Sequence, residues 1–136
     1  MTANEISDKI STFERELADI AVRIRNAEEI IRQLQCLKDS CVDYQEEFEN
    51  HKHRRIQRME ELMNVWGQDK FIGEYADAMN ELLTGNEYLC AYNQGDTAIF
   101  DIECEIRKQR LIVSECSGEQ NRLSQNIIHW KRELEM

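Results

Sequence analysis

The stretch MEELMNVWGQDKFIGEYADAM (Met59–Met79) contains the signal that decides the fold of this chain of 136 residues. Trp66, one of two tryptophans, is followed directly by Gly67, the first glycine, and the chain contains no proline. Nothing from Ala3 to Trp66 therefore interrupts a helix. We interpret Gly67 as a turn residue with positive φ that reverses the chain, and Trp66 as a ring that covers the end of the hydrophobic seam.

Apolar residues before this turn follow a heptad pattern, in which spacings of four and three residues alternate. The positions are Ile6, Ile10, Phe13, Leu17, Ile20, Ile24, Ala27, Ile31 and Leu34. Such a seam is typical of a helix that packs along another helix. We expect Thr2 or Asn4 to cap the helix start. After Leu34 we expect the seam to slip by one residue and to continue through Leu37, Cys41, Tyr44 and Phe48.

A second seam with the same spacing occupies the C-terminal part of the chain. Its positions are Ile99, Ile102, Ile106, Gln109, Val113, Cys116, Gln120, Leu123, Ile127, Trp130 and Leu134. A turn at Trp66-Gly67 places the two seams opposite each other, with Ile6 facing Trp130. The sequence therefore predicts an all-α fold: an elongated antiparallel helical hairpin, with residues 1–136 as a single helical domain.

The second arm of this hairpin is expected to be kinked or broken. We predict a short helix from about residue 70 to 83, an irregular or kinked stretch to about residue 95, and a long helix that Asp96 is able to cap. Whether Thr84–Gly95 is a kink or a true loop between helices stays open. The alternative is a three-helix bundle that turns first at His51–Arg55, where the sequence has neither Gly nor Pro.

Composition excludes several classes of function. A formal net charge of −10 disfavours nucleic-acid binding, because the surface repels phosphates. The longest apolar run, Tyr88–Tyr92, is too short to span a membrane, and we find no cleaved signal peptide. Five cysteines without paired spacing indicate a reducing compartment, so we expect a cytoplasmic protein, with export by another signal as the alternative. No residue pattern indicates an enzyme, a cofactor or a metal site.

The arrangement of the whole chain resembles a known family. A long helix, the Trp66-Gly67 turn with Phe71 shortly after it, and a second long helix resemble the WXG-type proteins of bacterial type VII secretion. The length and acidity are similar to those of the accessory proteins encoded beside LXG toxins. The family pattern is Trp-any-Gly, whereas here glycine follows tryptophan directly. The resemblance implies a chaperone-like targeting protein that binds the helical N-terminal domain of a cognate toxin.

Two groups of residues are candidates for contact with a partner. The turn group consists of Trp66, Gly67, Phe71 and Tyr75. The second group lies off or at the edge of the seams and consists of Val22, Ile30, Leu37, Val42, Ile112 and Ile128. Further partners to consider are a second small helical accessory protein and a second copy of this chain. The alternative function is a structural coiled coil or helical bundle that self-associates.

Overall fold

The computed structural model describes residues 2–136, and these residues form three α-helices. The first, α1, spans Ala3–Trp66, α2 spans Lys70–Thr84 and α3 spans Asn86–Glu135. The residues described include no β-strand. The predicted all-α helical hairpin with a broken second arm is confirmed. The three-helix bundle is wrong, because α1 continues without a break through His51–Arg55.

The start of α1 is closed by a reciprocal pair of hydrogen bonds. The Glu5 amide donates to Thr2 Oγ1 at 3.2 Å, and the Thr2 amide donates to Glu5 Oε2 at 3.2 Å. This is a capping box, in which two amide groups that lack a partner within the helix are satisfied by side chains. Of the two predicted caps, Thr2 is therefore the one that the helix uses.

The chain divides into two compact units, and α1 contributes to both. The first unit combines α1 up to Gln35 with α3 from Cys104 onward, and the second comprises Cys36–Glu103. Each unit is a packed set of antiparallel helices. The buried and half-buried residues identify the seam along which these helices pack.

The first unit has the apolar core that the two seams predict. One buried cluster contains Ile6, Ile10 and Ile127, with Trp130 packed against it. A second contains Ile20, Cys116 and Leu123, and the Leu123 side chain is 0% exposed. The expected neighbourhood of Ile6 and Trp130 is confirmed, and so is the antiparallel direction of the two helices.

In the second unit, the predicted one-residue slip of the seam is wrong. Leu37 is 51% exposed and Tyr44 is 71% exposed, so neither lies on the seam. The half-buried positions instead continue the original spacing: Lys38, Cys41, Gln45, Phe48 and Lys52. Polar side chains are tolerated at these positions because they bond to residues on the opposing helix. The heptad spacing therefore continues without a slip.

The break in the second arm is confined to Gly85. Its backbone is extended, with φ −79° and ψ 171°, and a Cβ there would lie 2.6 Å from the Glu81 carbonyl oxygen. Of the two alternatives for Thr84–Gly95, the structure shows the kink, and the irregular stretch is wrong because α3 already begins at Asn86. The expected cap at Asp96 is wrong for the same reason, since this residue lies inside α3.

Candidate partner-binding surface

The turn between α1 and α2 is short and internally bonded. It consists of Gly67–Asp69, and the Asp69 amide donates to the Trp66 carbonyl oxygen at 2.9 Å. The Asp69 carboxylate then caps α2 by accepting from the Ile72 amide at 3.1 Å. These two bonds fix the direction in which α2 leaves the end of α1.

Gly67 is required by a close backbone approach. The predicted positive φ is wrong, because no glycine in the described residues has one. A Cβ at this position would instead lie 2.3 Å from the Met63 carbonyl oxygen and 3.3 Å from its carbonyl carbon. Since that neighbour is backbone in the last turn of α1, any side chain at residue 67 would displace the turn.

The three aromatic residues of the turn group are exposed. Trp66 is 58% exposed, Phe71 is 73% exposed and Tyr75 is 43% exposed. The larger part of Trp66 therefore faces solvent. The sequence interpretation that its ring covers the end of the seam is wrong. Val65, just before it, is also exposed. A group of large apolar side chains at one turn of an acidic helical protein is typical of a surface that contacts a partner.

Helix α2 carries two apolar seams side by side. The inner seam consists of Ile72, Ala76, Met79 and Leu83, all buried or half-buried. The outer seam consists of Phe71, Tyr75, Ala78 and Leu82, all exposed. Both seams have the spacing four, three, four, which is the pattern of a helix that packs along a neighbouring helix. Helix α1 covers the inner seam, and in the described residues the outer one is open to solvent.

A groove of about 310 Å³ lies between the last turns of α1 and the inner seam of α2. Its lining is formed by Ile56, Met59, Glu60, Met63, Asn64, Ala76, Asp77, Asn80 and Leu83. The two methionines are unbranched and adapt their shape readily. The inner seam therefore leaves open space beside the last turns of α1.

Four residues of the second candidate group belong to the first unit, and they differ in environment. Val22, Ile30 and Ile128 are exposed. Ile112 is half-buried and packs against the cluster of Ile20, Cys116 and Leu123, so it is part of the core. The first unit therefore presents three of these four side chains to solvent.

The remaining two belong to the second unit. Leu37 is exposed. Val42 is half-buried and lines a surface cavity together with Gln45, Glu49 and Tyr92. Of the pair, only Leu37 therefore offers most of its side chain to a partner.

Polar contacts hold the seam of the second unit together. Lys38 Nζ lies 3.0 Å from Glu103 Oε1. Gln45 Nε2 donates to the Tyr92 carbonyl oxygen at 3.2 Å and to Asp96 Oδ1 at 2.8 Å. Gly95 makes room for this carboxamide, because a Cβ there would lie 2.7 Å from Gln45 Nε2. A polar seam of this kind fixes register at some cost in stability.

An aromatic pair completes this seam. The rings of Phe48 and Tyr88 stack with centroids 4.1 Å apart, and the Tyr88 hydroxyl donates to the Phe48 carbonyl oxygen at 3.0 Å. Lys52 Nζ lies 5.7 Å from the Tyr88 ring centroid. Burial raises the pKa of the Tyr88 hydroxyl above its ordinary value, and the Glu49 carboxylate adds to this shift.

Sequence reasoning missed both the polar seam and the outer seam of α2, although the sequence carries signals for each. Continuing the heptad frame of the first unit reaches Lys38 and Gln45, and the frame of α3 extended backward reaches Gly95 and Tyr88. The exposed leucine and tyrosine at Leu37 and Tyr44 obscured that frame. The two adjacent seams of α2 are equally visible in the sequence, but the burial of each side chain is needed to tell which seam is covered.

The described residues contain no group of three or more His, Cys, Asp or Glu side chains that could hold a metal ion. In the same part of the chain, no helix combines the length and the apolar character that crossing a membrane requires. All five cysteines are free. Comparison with protein-family models, curated proteins and solved structures finds no match for this chain.

Proposed function

We propose that this protein is a non-enzymatic accessory protein of type VII secretion that binds the helical N-terminal domain of an LXG toxin and helps to target it for secretion. The resemblance of the Trp66-Gly67 turn and the two flanking long helices to the WXG-type proteins supports this proposal. The observation that carries it is the set of exposed aromatic side chains at the turn, Trp66, Phe71 and Tyr75. Several exposed large apolar side chains near one turn are typical of a protein–protein interaction site.

The proposed mechanism is association of helices. A helical toxin domain would lie along exposed apolar side chains of this chain and bury them, which adds helices to the existing pair. Burial of apolar surface stabilises such a complex by about 25 cal/mol per Å², before the cost of association is subtracted. The exposed residues Val22, Ile30 and Ile128 of the first unit and Leu37 of the second supply further contacts.

We place this function in the cytoplasm, where a toxin has to be kept available for export. Five free cysteines are compatible with a reducing compartment. One of them, Cys116, is buried in the core of the first unit, where oxidation would add a polar group to an apolar cluster. Export of the protein itself is the alternative.

Co-expression tests the proposal directly. The chain is produced together with the N-terminal domain of an LXG toxin encoded next to its gene, and the complex is isolated through a tag on the toxin domain. We expect a complex of fixed stoichiometry that Trp66→Ala weakens, while Leu134→Ala, which truncates another exposed side chain, leaves it intact. Absence of a complex with the toxin domain of its own gene neighbourhood would refute the proposal.

The second candidate function is a structural coiled coil that self-associates. It is favoured by the length of the uninterrupted helix α1, 64 residues, which exceeds what a small binding module needs. A homodimer makes the melting temperature rise with protein concentration, whereas a monomer that waits for a toxin does not. Melting curves over a hundredfold range of concentration therefore separate the two functions.

A further inference from the structure

The outer seam of α2 is a complete helix-packing surface that the described chain leaves without a partner. We propose that this seam, formed by Phe71, Tyr75, Ala78 and Leu82, binds an amphipathic helix of a partner protein whose own seam is flanked by lysine or arginine. The proposal rests on the proposed function only in the general sense that this end of the molecule binds another protein. It adds which helix face is used and what the partner must look like.

The spacing of the seam indicates that its occupant is a helix. Phe71 to Tyr75, Tyr75 to Ala78 and Ala78 to Leu82 are separations of four, three and four residues, the same as in the inner seam that α1 covers. Residues with this spacing form a straight ridge that fits between the side chains of a second helix. An extended peptide would need positions that alternate with a period of two. The small side chain of Ala78 allows a close approach at the centre of the ridge.

The charges beside the seam indicate a basic occupant. Glu74 and Glu81 directly precede Tyr75 and Leu82, which places both carboxylates along the same edge of the seam. Residues at such flanking positions form ion pairs with the partner helix and select it by charge. Both glutamates are exposed, and neither takes part in an ion pair within the described residues. A partner helix with Lys or Arg at its own flanking positions would complement them.

The basic face of α1 in a second copy of this chain does not match this seam. The exposed basic face of α1 consists of His51, Arg54, Arg55 and Arg58, which lie on one side of the helix. None of these four is a large apolar residue, so this face lacks the seam that would fill the ridge of α2. The occupant that we propose is a different protein, and the oligomeric state of the chain tests this choice.

Two synthetic helical peptides test the proposal with the full chain. Each has about three heptads with leucine at positions a and d, and they differ only in carrying lysine or glutamate at positions e and g. Binding is measured by fluorescence anisotropy of the labelled peptide. We expect the lysine peptide to bind at least about tenfold more tightly than the glutamate peptide, because only the former pairs with Glu74 and Glu81.

Charge reversal shows whether this preference belongs to the outer seam. In the variant Glu74→Lys/Glu81→Lys, the preference for the lysine peptide should be lost or reversed. The matched control is Asp19→Lys/Glu115→Lys, which changes the net charge equally at exposed positions of the first unit and should keep the preference. Leu82→Asp, also at an exposed position, should weaken binding of both peptides.

Three results would overturn the proposal: equal binding of the two peptides, equal loss of preference in the control variant, and a homodimer that Leu82→Asp dissociates. The last result would assign the seam to a second copy of the chain. The proposed function fails separately. If the toxin domain co-purifies but the peptides show no preference, only the present inference falls. If the peptides behave as expected and no toxin domain binds, only the secretion function falls.

Discussion

The ring of Phe48 on α1 stacks against the ring of Tyr88 on α3, with centroids 4.1 Å apart and an angle of 25° between the ring planes. This contact joins the two helices of the second unit at a level where the neighbouring seam positions are polar. The hydroxyl of the same tyrosine also donates to the Phe48 carbonyl oxygen at 3.0 Å. The pair is therefore the main apolar contact among the Lys38, Gln45 and Lys52 positions of this seam.

We expect Phe48→Ala to lower the free energy of unfolding by about 2 kcal/mol, because both the stacked contact and apolar burial are lost. Tyr88→Phe keeps the ring and should cost about 1 kcal/mol, since only the hydrogen bond is removed. Urea denaturation followed by circular dichroism measures both. A larger loss for Tyr88→Phe than for Phe48→Ala would mean that the hydroxyl, and not the stack, is the more important contact.

The raised pKa of Tyr88 makes a prediction about alkaline pH. A folded-state pKa above the unfolded value means that the folded protein holds the proton more tightly. The resulting stability is complete below the unfolded pKa and is lost as pH rises through the folded pKa. We therefore expect stability to fall on the alkaline side of the ordinary tyrosine pKa.

Absorbance of the tyrosinate near 295 nm gives the direct measurement. Comparison of the wild-type protein with Tyr88→Phe assigns the titration of Tyr88, which should occur above the ordinary tyrosine pKa. In Tyr88→Phe, the part of the alkaline loss of stability that this hydroxyl causes should disappear. Ionisation of Tyr88 at the ordinary tyrosine pKa would contradict its buried environment.

The apolar seams of the first unit could be predicted because every position from Ile6 to Leu34 obeys one spacing and the residues are large and apolar. The register followed from the same spacing, and it places Ile6 in the same cluster as Ile127 and Trp130. Burial of these side chains is what stabilises the unit, so the hydrophobic pattern alone contains the necessary information.

The seam between α1 and α3 in the second unit was harder to predict because polar pairs stabilise it in addition to the stacked Phe48 and Tyr88. Lys38 can occupy a seam position because Glu103 lies opposite it. Gln45 can do so because Asp96 accepts its hydrogen bond and Gly95 has no side chain in the way. Such pairs are recognised only when the sequences of both helices are compared, whereas a heptad pattern is read along one helix. The requirement for Gly67 depends on the distance between backbone atoms, which no residue pattern records.

The contact between Gln45 and Gly95 can be tested with a matched glycine. Gly118 lies in the same helix, and a Cβ there would have no neighbour within 4 Å. Gly118→Ala should stabilise the protein by about 1 kcal/mol, because alanine is the better helix former. Gly95→Ala should give less than this or destabilise, since the Gln45 carboxamide has to leave its two acceptors.

Removing the carboxamide should restore the gain. In a Gln45→Ala background, Gly95→Ala should stabilise by about the same 1 kcal/mol as Gly118→Ala does. Thermal or urea denaturation of the four proteins in this double-mutant cycle measures the coupling between the two positions. If Gly95→Ala stabilises the wild-type chain as much as Gly118→Ala, the close approach of Gln45 is not maintained in solution.

Leu123 provides a test of the core of the first unit. Its side chain is fully buried in the cluster with Ile20 and Cys116, so Leu123→Ala should cost about 3 kcal/mol through lost burial and the cavity left behind. Leu111→Ala removes the same atoms from an exposed position of the same helix and should change stability by less than about 0.5 kcal/mol. Equal effects of the two substitutions would contradict the antiparallel packing of α1 and α3.

Substitution of Trp66 tests whether this residue serves partner binding or folding. Its side chain is largely exposed, whereas Trp130 packs against the buried cluster of Ile6, Ile10 and Ile127. Trp66→Ala should therefore leave the helix content and the melting temperature almost unchanged, while Trp130→Ala should lower the melting temperature by several degrees, equivalent to about 2 kcal/mol.

Partner binding should show the opposite order for these two tryptophans. If the turn is a recognition surface, Trp66→Ala weakens association with the toxin domain about tenfold or more, as is usual for an aromatic anchor at an interface. Trp130→Ala, measured at a temperature where the variant is still folded, should bind nearly as the wild-type protein does. Global loss of helix signal in Trp66→Ala would identify the indole as a structural residue and remove it from the proposed binding surface.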